Sequence, residues 1–181
     1  KDIKSILAYA GSEEQTNLPV GKRLSGAFMD AYAGILVSKV RTATGENEPL
    51  KGFRIVVDAG NGAGGFYAEK VLQPLGADTE GSLYLDPDGS FPNHIPNPED
   101  KTAMHSITNA VLANHADFGI IFDTDVDRAG AVLSDGSELN RNRIIAMLSA
   151  ILLREHPGTT IVTDSITSTG LGKFIAQQGG I

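Results

Sequence analysis

Residues 118–130 read FGIIFDTDVDRAG, an apolar run that passes without a break into a cluster of charged side chains. The apolar run has the length and composition of a buried β-strand. Three carboxylates follow it at alternate positions, Asp123, Asp125 and Asp127, and Arg128 comes directly after them. Ligands of open α/β sheets bind outside the carboxyl ends of the strands, so this stretch predicts a functional site at that edge.

The chain on either side of this stretch alternates between short apolar runs and helical patterns. Further strands are predicted for FRIVVD (53–58), SLYL (82–85) and AGAVLS (129–134), the last one turned at Asp135-Gly136. Helices are predicted for GGFYAEKVLQPLG (64–76), for a segment with Met104, Ile107 and Val111 on one face, and for 141–155, with Ile144, Ile145, Leu148, Ile151 and Leu152 facing inward. This alternation predicts an α/β fold in which helices flank a mixed, mostly parallel sheet.

The ends of the chain carry further signals of organisation. Helices are predicted over 1–11, ending at Gly11, and over 22–42, and the polar stretch TGENEPLKG (44–52) indicates a domain boundary. In the tail, TIVTD (160–164) echoes RIVVD (54–58) at an offset of 106 residues, and a glycine follows each aspartate six residues later. This echo suggests a duplicated α/β unit whose second copy is incomplete at residue 181.

Composition excludes several classes of protein. The 181 residues are 41% hydrophobic and 20% charged, which is typical of a chain with a packed core. A net charge of −7 without a basic run argues against nucleic-acid binding. The apolar stretch 146–153 is far shorter than the ~20 residues of a membrane span. With no cysteine and no signal-peptide pattern, we expect a cytoplasmic protein without a membrane partner.

The acidic stretch has the chemistry of a site for a hard cation. Alternate residues of an extended segment point the same way, so Asp123, Asp125 and Asp127 can present three oxygens to one point. Carboxylates at such a short separation repel one another unless a cation binds between them. Oxygen ligands favour Mg²⁺ over soft metals. Arg128 supplies a planar set of donors that suits a phosphate oxygen beside the ion.

Other interpretations of the stretch compete with a metal site. A solvated acidic turn is the plainest of them. A calcium EF-hand is excluded, because its sixth and twelfth positions need Gly and Glu, and Arg128 and Ser134 stand there. An aspartyl-phosphate phosphatase would use Asp123 as its nucleophile; Asp127 departs from that motif at its fifth position, and the alternative stays open.

A glycine-rich stretch, DAGNGAGG (58–65), lies between a predicted strand and a predicted helix. Its Gly60, Gly62 and Gly65 fit the pattern of a dinucleotide-binding turn, and Glu80 lies near the expected position of a ribose-binding acid. Against that alternative, Asp58 places a negative charge where a pyrophosphate would bind. We favour glycines that serve a tight strand-to-helix turn.

Taken together, FDTDVDRAG, VVDAGNGAGG and FPNHIPNPE (91–99) resemble the α-D-phosphohexomutases, the superfamily of phosphoglucomutase and phosphomannomutase. The family's metal loop reads DGDGDR and lies in the second of four domains, after a loop of the FPxHxPNP kind. The resemblance covers roughly residues 50–155. Thr124 and Val126 replace two glycines, and β-branched residues are strained at positive φ, so either the loop is extended or the metal geometry differs.

The resemblance implies roles for individual residues. Asp123, Asp125 and Asp127 become Mg²⁺ ligands, and Arg128 becomes a catalytic contact to the transferring phosphoryl group. His94, in the proline-rich loop, is expected to be structural. The implied enzyme interconverts hexose 1-phosphate and hexose 6-phosphate through a phosphoserine and a bisphosphate intermediate. Neither the sugar nor the oligomeric state is indicated by the sequence.

The resemblance also implies a division of the chain. Residues 1–48 resemble the helical connection from a first domain, 49–157 an α/β domain with the metal loop, and 158–181 the start of a third α/β domain. The chain is thus expected to be a truncated fragment of a multi-domain enzyme. Because the family's phosphoserine and sugar-binding loops have no counterpart here, we expect the fragment alone to be inactive; a non-catalytic fragment that keeps only the fold is a further possibility.

Overall fold

The computed structural model describes residues 2–12 and 21–181 and consists of helices around one small sheet. The helices are α1 (Asp2–Ala10), α2 (Phe28–Thr44), α3 (Lys101–Ala113), α4 (Arg141–Glu155) and α5 (Thr169–Gln177). The strands are β1 (Ile55–Asp58), β2 (Phe118–Phe122), β3 (Ala129–Leu133) and β4 (Glu138–Leu139). An irregular helical segment over 63–75 lies between β1 and α3.

The sheet has the order β1-β2-β3-β4 and confirms the predicted α/β class with a mixed sheet. β1 and β2 are parallel, whereas β2 with β3 and β3 with β4 are antiparallel, so parallel pairing is less frequent than the alternation suggested. The stretch 82–85 does not form a full strand. Leu83 makes an isolated parallel bridge to β1, and Tyr84 leaves the extended conformation with φ at 53°.

Apolar side chains cover both faces of the sheet. On one face, α3 buries Ala103, Ile107, Ala110 and Val111 against Val56, Ile121 and Val132. On the other face, the segment 63–75 buries Ala68 and Leu72 against Ile55, Val57 and Phe122. Helix α2 forms a further layer on that segment, with Ala33 and Val37 against Val71 and Leu75. Because both faces are covered, function is left to the edge where the strands end.

The predicted helix over 64–76 is irregular in the structure. It consists of a 3₁₀ turn (Ala63–Gly65), a π-helical turn (Ala68–Leu72) and a second 3₁₀ turn (Gln73–Leu75). Pro74 lies in the last of these turns and has no backbone N–H to continue an α-helix. The segment ends, as predicted, at Gly76, whose φ of 96° is readily adopted only by glycine.

Helix α4 has the predicted bounds, but its predicted inward face is wrong for three of five residues, whereas Ile145 does pack on the cluster between α4 and α5. Leu148, Ile151 and Leu152 are 38–49% exposed, and the buried residues are Ser149 and Leu153. Ile144 and Ile145 are only half-buried. The reason is tertiary: α5 packs on the stripe that contains Leu153, and the apolar residues on the neighbouring side of α4 lie outside that contact.

The amino- and carboxyl-terminal parts of the chain agree with the sequence in outline. Helix α2 begins at Phe28 rather than near residue 22, and α1 has the predicted extent. Residues 160–164 form no strand, although Ile161 donates its N–H to the Ile181 carbonyl at 2.9 Å, and α5 follows as the echo suggests. In the part of the chain that the structure describes, no helix is both long and apolar enough to cross a bilayer.

Candidate metal centre

The three aspartates that follow β2 converge in the structure. Asp123, Asp125 and Asp127 each offer one carboxylate oxygen, and these oxygens all lie within 4.8 Å of one another. Asp123 is buried, whereas Asp125 and Asp127 are exposed. Three hard oxygen donors at this spacing, with two of them open to solvent, fit a divalent cation such as Mg²⁺.

The acidic loop, residues 123–128, reaches this geometry through a turn rather than through an extended backbone. The Asp123 N–H donates to the Arg128 carbonyl at 3.2 Å, which closes the loop on itself. Val126 has a φ of 67°, in the left-handed region, while Thr124 does not. An extended loop, one of the two alternatives that the sequence leaves open, is therefore wrong, and the strain of about 1–3 kcal/mol anticipated for β-branched residues applies to Val126 alone.

Arg128 holds the loop together through its backbone and its side chain. Its N–H donates to Asp123 Oδ1 at 3.0 Å, and its Nε donates to Asp123 Oδ2 at 3.1 Å. The same Nε lies 3.5 Å from Asp127 Oδ1, and Nη1 donates to Asn97 Oδ1 at 3.2 Å. The guanidinium therefore compensates two of the three carboxylates and links the acidic loop to the proline-rich loop over 91–99.

The carboxylates influence one another's protonation. Contact with Asp123 raises the pKa of Asp127, first through their shared hydrogen bond and then through the charges of Asp123 and Asp125. Burial acts to raise the pKa of Asp123, but hydrogen bonds from the Arg128 N–H and from Asp127, together with the Arg128 charge, lower it overall. Such mutual repulsion is what a bound cation relieves.

A second polar cluster anchors the proline-rich loop to the end of β1. Asp58 is fully buried, and its two oxygens lie 3.0 and 3.1 Å from His94 Nε2. Ser106 Oγ and the Gly60 N–H also donate to this carboxylate, at 2.7 and 2.9 Å. His94 Nδ1 lies 3.0 Å from the Ile95 carbonyl, so both ring nitrogens of His94 have a polar partner within the protein. His94 is thus engaged within the protein, as predicted for a structural residue.

The glycine-rich turn after β1 is filled by the protein's own atoms. A side chain at Gly60 would lie 2.8 Å from Pro96 Cβ, and one at Gly62 would lie 2.9 Å from the Thr124 carbonyl oxygen. A side chain at Gly65 would overlap the backbone carbonyl of Leu85. The predicted tight turn is therefore confirmed, and close packing against neighbouring loops does not favour a pyrophosphate-binding turn.

The turn also supports the acidic loop directly. The Ala63 N–H donates to the Thr124 carbonyl at 2.9 Å, so the chain that leaves β1 holds the backbone of the acidic loop. At this edge of the sheet, hydrogen bonds therefore connect the acidic loop, the glycine-rich turn and the proline-rich loop. Asp58 and Arg128 are the two polar anchors of the edge.

Asp123 is poorly placed to act as the nucleophile of a phosphatase. Both of its oxygens accept hydrogen bonds from Arg128, and the side chain is buried. Each oxygen keeps a further lone pair that can bind an ion, but burial of the side chain does not favour in-line attack on the phosphorus atom of a substrate.

A cavity of about 870 Å³ lies beside Arg128. Its lining carries both charge signs, with Arg128, Arg141, Lys101, Glu99 and Glu138 among its residues. The three clustered aspartates do not line it. Arg128 therefore lies between the acidic loop and a space large enough for a small charged molecule.

Sequence reasoning missed three residues that shape this edge: Asp58, Asn97 and Ser106. From the sequence, Asp58 is only an unfavourable charge near a phosphate, yet in the structure it is the centre of a buried polar cluster. One signal was available, since an aspartate that ends a fully apolar strand is often buried and then needs partners. Nothing in the local pattern identifies Ser106 as a partner of Asp58, or Asn97 as a partner of Arg128.

Comparison with known proteins gives a consistent result. The sequence model of the phosphoglucomutase/phosphomannomutase α/β/α domain II matches residues 30–136. A phosphoglucomutase of Neisseria meningitidis is 30% identical over 172 residues, which are 95% of this chain and 35% of the relative. A phosphomannomutase/phosphoglucomutase of Pseudomonas putida is 31% identical over 180 residues, which are 99% of this chain and 37% of the relative.

Solved structures agree with the sequence relatives. The crystal structure of a phosphoglucomutase/phosphomannomutase family protein from Burkholderia thailandensis resembles this chain with a TM-score of 0.73 at 30% identity, over 83% of this chain and 31% of that one. A structure from Thermus thermophilus has a TM-score of 0.64 at 20% identity and supports the fold alone. The chain spans about a third of the length of the curated relatives it matches.

The buried cluster around Asp58 generates a stability prediction. Asp58→Ala leaves His94 and Ser106 without their partner in the protein interior, so we expect a loss of about 3–5 kcal/mol in the free energy of unfolding. Urea denaturation followed by circular dichroism measures this loss. Asp86→Ala, at an exposed position of the same edge, serves as the control and is expected to stay within about 0.5 kcal/mol. A loss below about 1 kcal/mol for Asp58→Ala would show that the cluster has no stabilising role.

The packing of the glycine turn generates a second stability prediction. Gly65→Ala forces its new methyl group into the Leu85 carbonyl and should cost about 1–3 kcal/mol or more. Gly172→Ala, in open space on α5, should instead be neutral or stabilise by about 0.5–1 kcal/mol. Thermal unfolding of the two variants measures the contrast. Equal melting temperatures would mean that Gly65 is not required for close packing.

Proposed function

Since this chain belongs to the phosphoglucomutase/phosphomannomutase family, we propose that it carries the metal centre of a Mg²⁺-dependent phosphohexomutase. The proposed enzyme interconverts hexose 1-phosphate and hexose 6-phosphate. A phosphoserine of the intact enzyme transfers its phosphoryl group to the sugar, which gives a bisphosphate and then returns the other phosphate. The division into 1–48, 49–157 and 158–181 is part of the same proposal.

One observation carries the proposal: three carboxylate oxygens lie within 4.8 Å of one another at the edge where β2 ends. The residues present fit Mg²⁺, because all three donors are hard oxygens and Arg128 leaves part of their charge uncompensated. When bound there, Mg²⁺ would neutralise charge on the transferring phosphoryl group and on the oxygen that leaves or attacks.

The proposed ligands have different tasks. Asp123 is buried and fixed by two hydrogen bonds from Arg128, so it supplies a rigid ligand. Asp125 and Asp127 are exposed and complete the site from the solvent side. Pre-positioned ligands of this kind lower the ordering cost of binding an ion.

Arg128 is proposed to contact an equatorial oxygen of the phosphoryl group. Its orientation supports this role, because Asp123 and Asn97 hold the guanidinium from two sides. The residue also lines the neighbouring cavity and is half-exposed, so an anionic ligand can reach it. A planar, permanently charged group held in this way stabilises charge that develops during transfer.

Cation binding can be tested on the 181-residue chain itself. Titration with Mn²⁺, with free ion followed by electron paramagnetic resonance, should show one site that Mg²⁺ displaces. Asp125→Asn should weaken Mn²⁺ binding about 10-fold or more, because it removes a charged ligand without disturbing the buried Asp123. Asp86→Asn, an exposed carboxylate outside the loop, serves as the control. Equal Mn²⁺ affinity in Asp125→Asn and the unchanged chain would contradict a metal site in this loop.

The mutase activity requires the intact protein that contains this segment. We expect that protein to convert glucose 1-phosphate or mannose 1-phosphate into the 6-phosphate, with activity abolished by EDTA and restored by Mg²⁺. The 181-residue chain alone should show no turnover, because its sequence has no counterpart of the family's phosphoserine and sugar-binding loops. Coupled assays that detect the 6-phosphate measure both. Turnover that persists in EDTA would rule out the metal-dependent mechanism.

A further inference from the structure

Val126 occupies an unusual place in the acidic loop. It lies between Asp125 and Asp127, and its φ of 67° is in the left-handed region, which a β-branched residue rarely adopts. Its side chain is half-buried, although its two neighbours are exposed. A strained backbone at a residue of this type persists only where surrounding contacts hold it.

The contacts that hold Val126 lie in the protein core. Its side chain packs against the cluster formed by Ile55, Val57, Ala68, Leu72, Ala77 and Phe122, which we call the loop floor. Phe122 is the last residue of β2 and directly precedes the acidic loop, and its ring lies 4.8 Å from that of Tyr67. The loop floor is thus continuous with the packed layer between the sheet and the segment 63–75.

Thr124, the other β-branched residue of the loop, lacks these features. Its side chain is exposed, and it is absent from the residues with positive φ. Its link to the rest of the protein is its backbone carbonyl, which accepts from the Ala63 N–H at 2.9 Å. A substitution at Thr124 therefore changes the loop without removing an apolar contact, which makes it a matched control for Val126.

We propose that Val126 is a positioning residue whose side chain anchors the acidic loop to the loop floor and so holds Asp125 and Asp127 beside Asp123. Glycine at this position would adopt the same φ without strain but would have no side chain to bury. The loop would then sample more conformations before an ion binds, and each ion would have to order it. The anchoring rests on packing alone, whereas its consequence for ion binding rests on the function proposed above.

The anchor can be tested without any metal. Two backbone amides report on closure of the loop, because Asp123 N–H bonds to the Arg128 carbonyl and Arg128 N–H bonds to Asp123 Oδ1. In the metal-free 181-residue chain, Val126→Gly and Val126→Ala should both raise amide hydrogen exchange at these two positions by about 10-fold or more. Thr124→Gly should raise it less than about 3-fold. Circular dichroism melting curves show that each variant is folded.

Comparison of Val126→Gly with Val126→Ala distinguishes the loss of the side-chain contact from the added backbone flexibility of glycine. If only Val126→Gly speeds exchange and Val126→Ala does not, glycine freedom explains the effect and the anchor is refuted. Unchanged exchange in both variants, or an equal effect in Thr124→Gly, also refutes it.

Mn²⁺ affinity then measures the functional consequence. We expect Val126→Ala and Val126→Gly to bind Mn²⁺ about 10-fold more weakly than the unchanged chain, and Thr124→Gly to bind nearly as tightly. If the unchanged chain binds no Mn²⁺, the metal function fails while the exchange experiment still decides the anchor. If the exchange result holds but all variants bind Mn²⁺ equally, Val126 anchors the loop without positioning its ligands, and the proposal is overturned.

Discussion

The pairing of Arg128 with Asp123 is the interaction on which the candidate metal centre depends. Asp123 directly follows β2 and Arg128 directly precedes β3. The backbone and side-chain hydrogen bonds between these two residues therefore determine how the chain turns between the strands. The same contacts bring Asp125 and Asp127 to the mouth of the loop. A buried carboxylate would be costly alone, and Arg128 makes its burial tolerable while leaving the other two carboxylates exposed.

Two neighbouring loops share this edge and limit its motion. The glycine turn supports the acidic loop through Ala63 and Thr124, and the proline-rich loop reaches Arg128 through Asn97. The Asp58–His94 contact fixes the proline-rich loop from the other end. Buried polar clusters in a low dielectric are rigid when each member is satisfied, so the edge is held in one arrangement before any ligand arrives.

Strain at Val126 and repulsion among the carboxylates have a common consequence. Both raise the free energy of the ion-free loop, and both are tolerated because Arg128 and the core oppose them. A cation bound by the three carboxylates, as proposed, would relieve the repulsion, and part of the free energy held in the loop would then contribute to binding. Strained or repulsive arrangements concentrate at functional sites for this reason.

The sequence by itself determined the α/β class, the place of the acidic loop after β2, the bounds of α4 and the tight turn of the glycines. These features follow from local periodicity and from residue types that act within a few positions of one another. Only the tertiary structure decided that Asp58 meets His94 and Ser106, 36 and 48 residues away along the chain, and that Asn97 meets Arg128.

The tertiary structure also decided the buried side of α4 and the left-handed conformation of Val126. A helical pattern shows that an apolar face exists, but the neighbouring element selects which stripe is covered, and α5 covers the one with Leu153. The φ of Val126 is unfavourable locally and is adopted because the loop must close over a packed core. A departure from the locally preferred backbone conformation costs about 1–3 kcal/mol per residue, and packing between distant segments outweighs this cost.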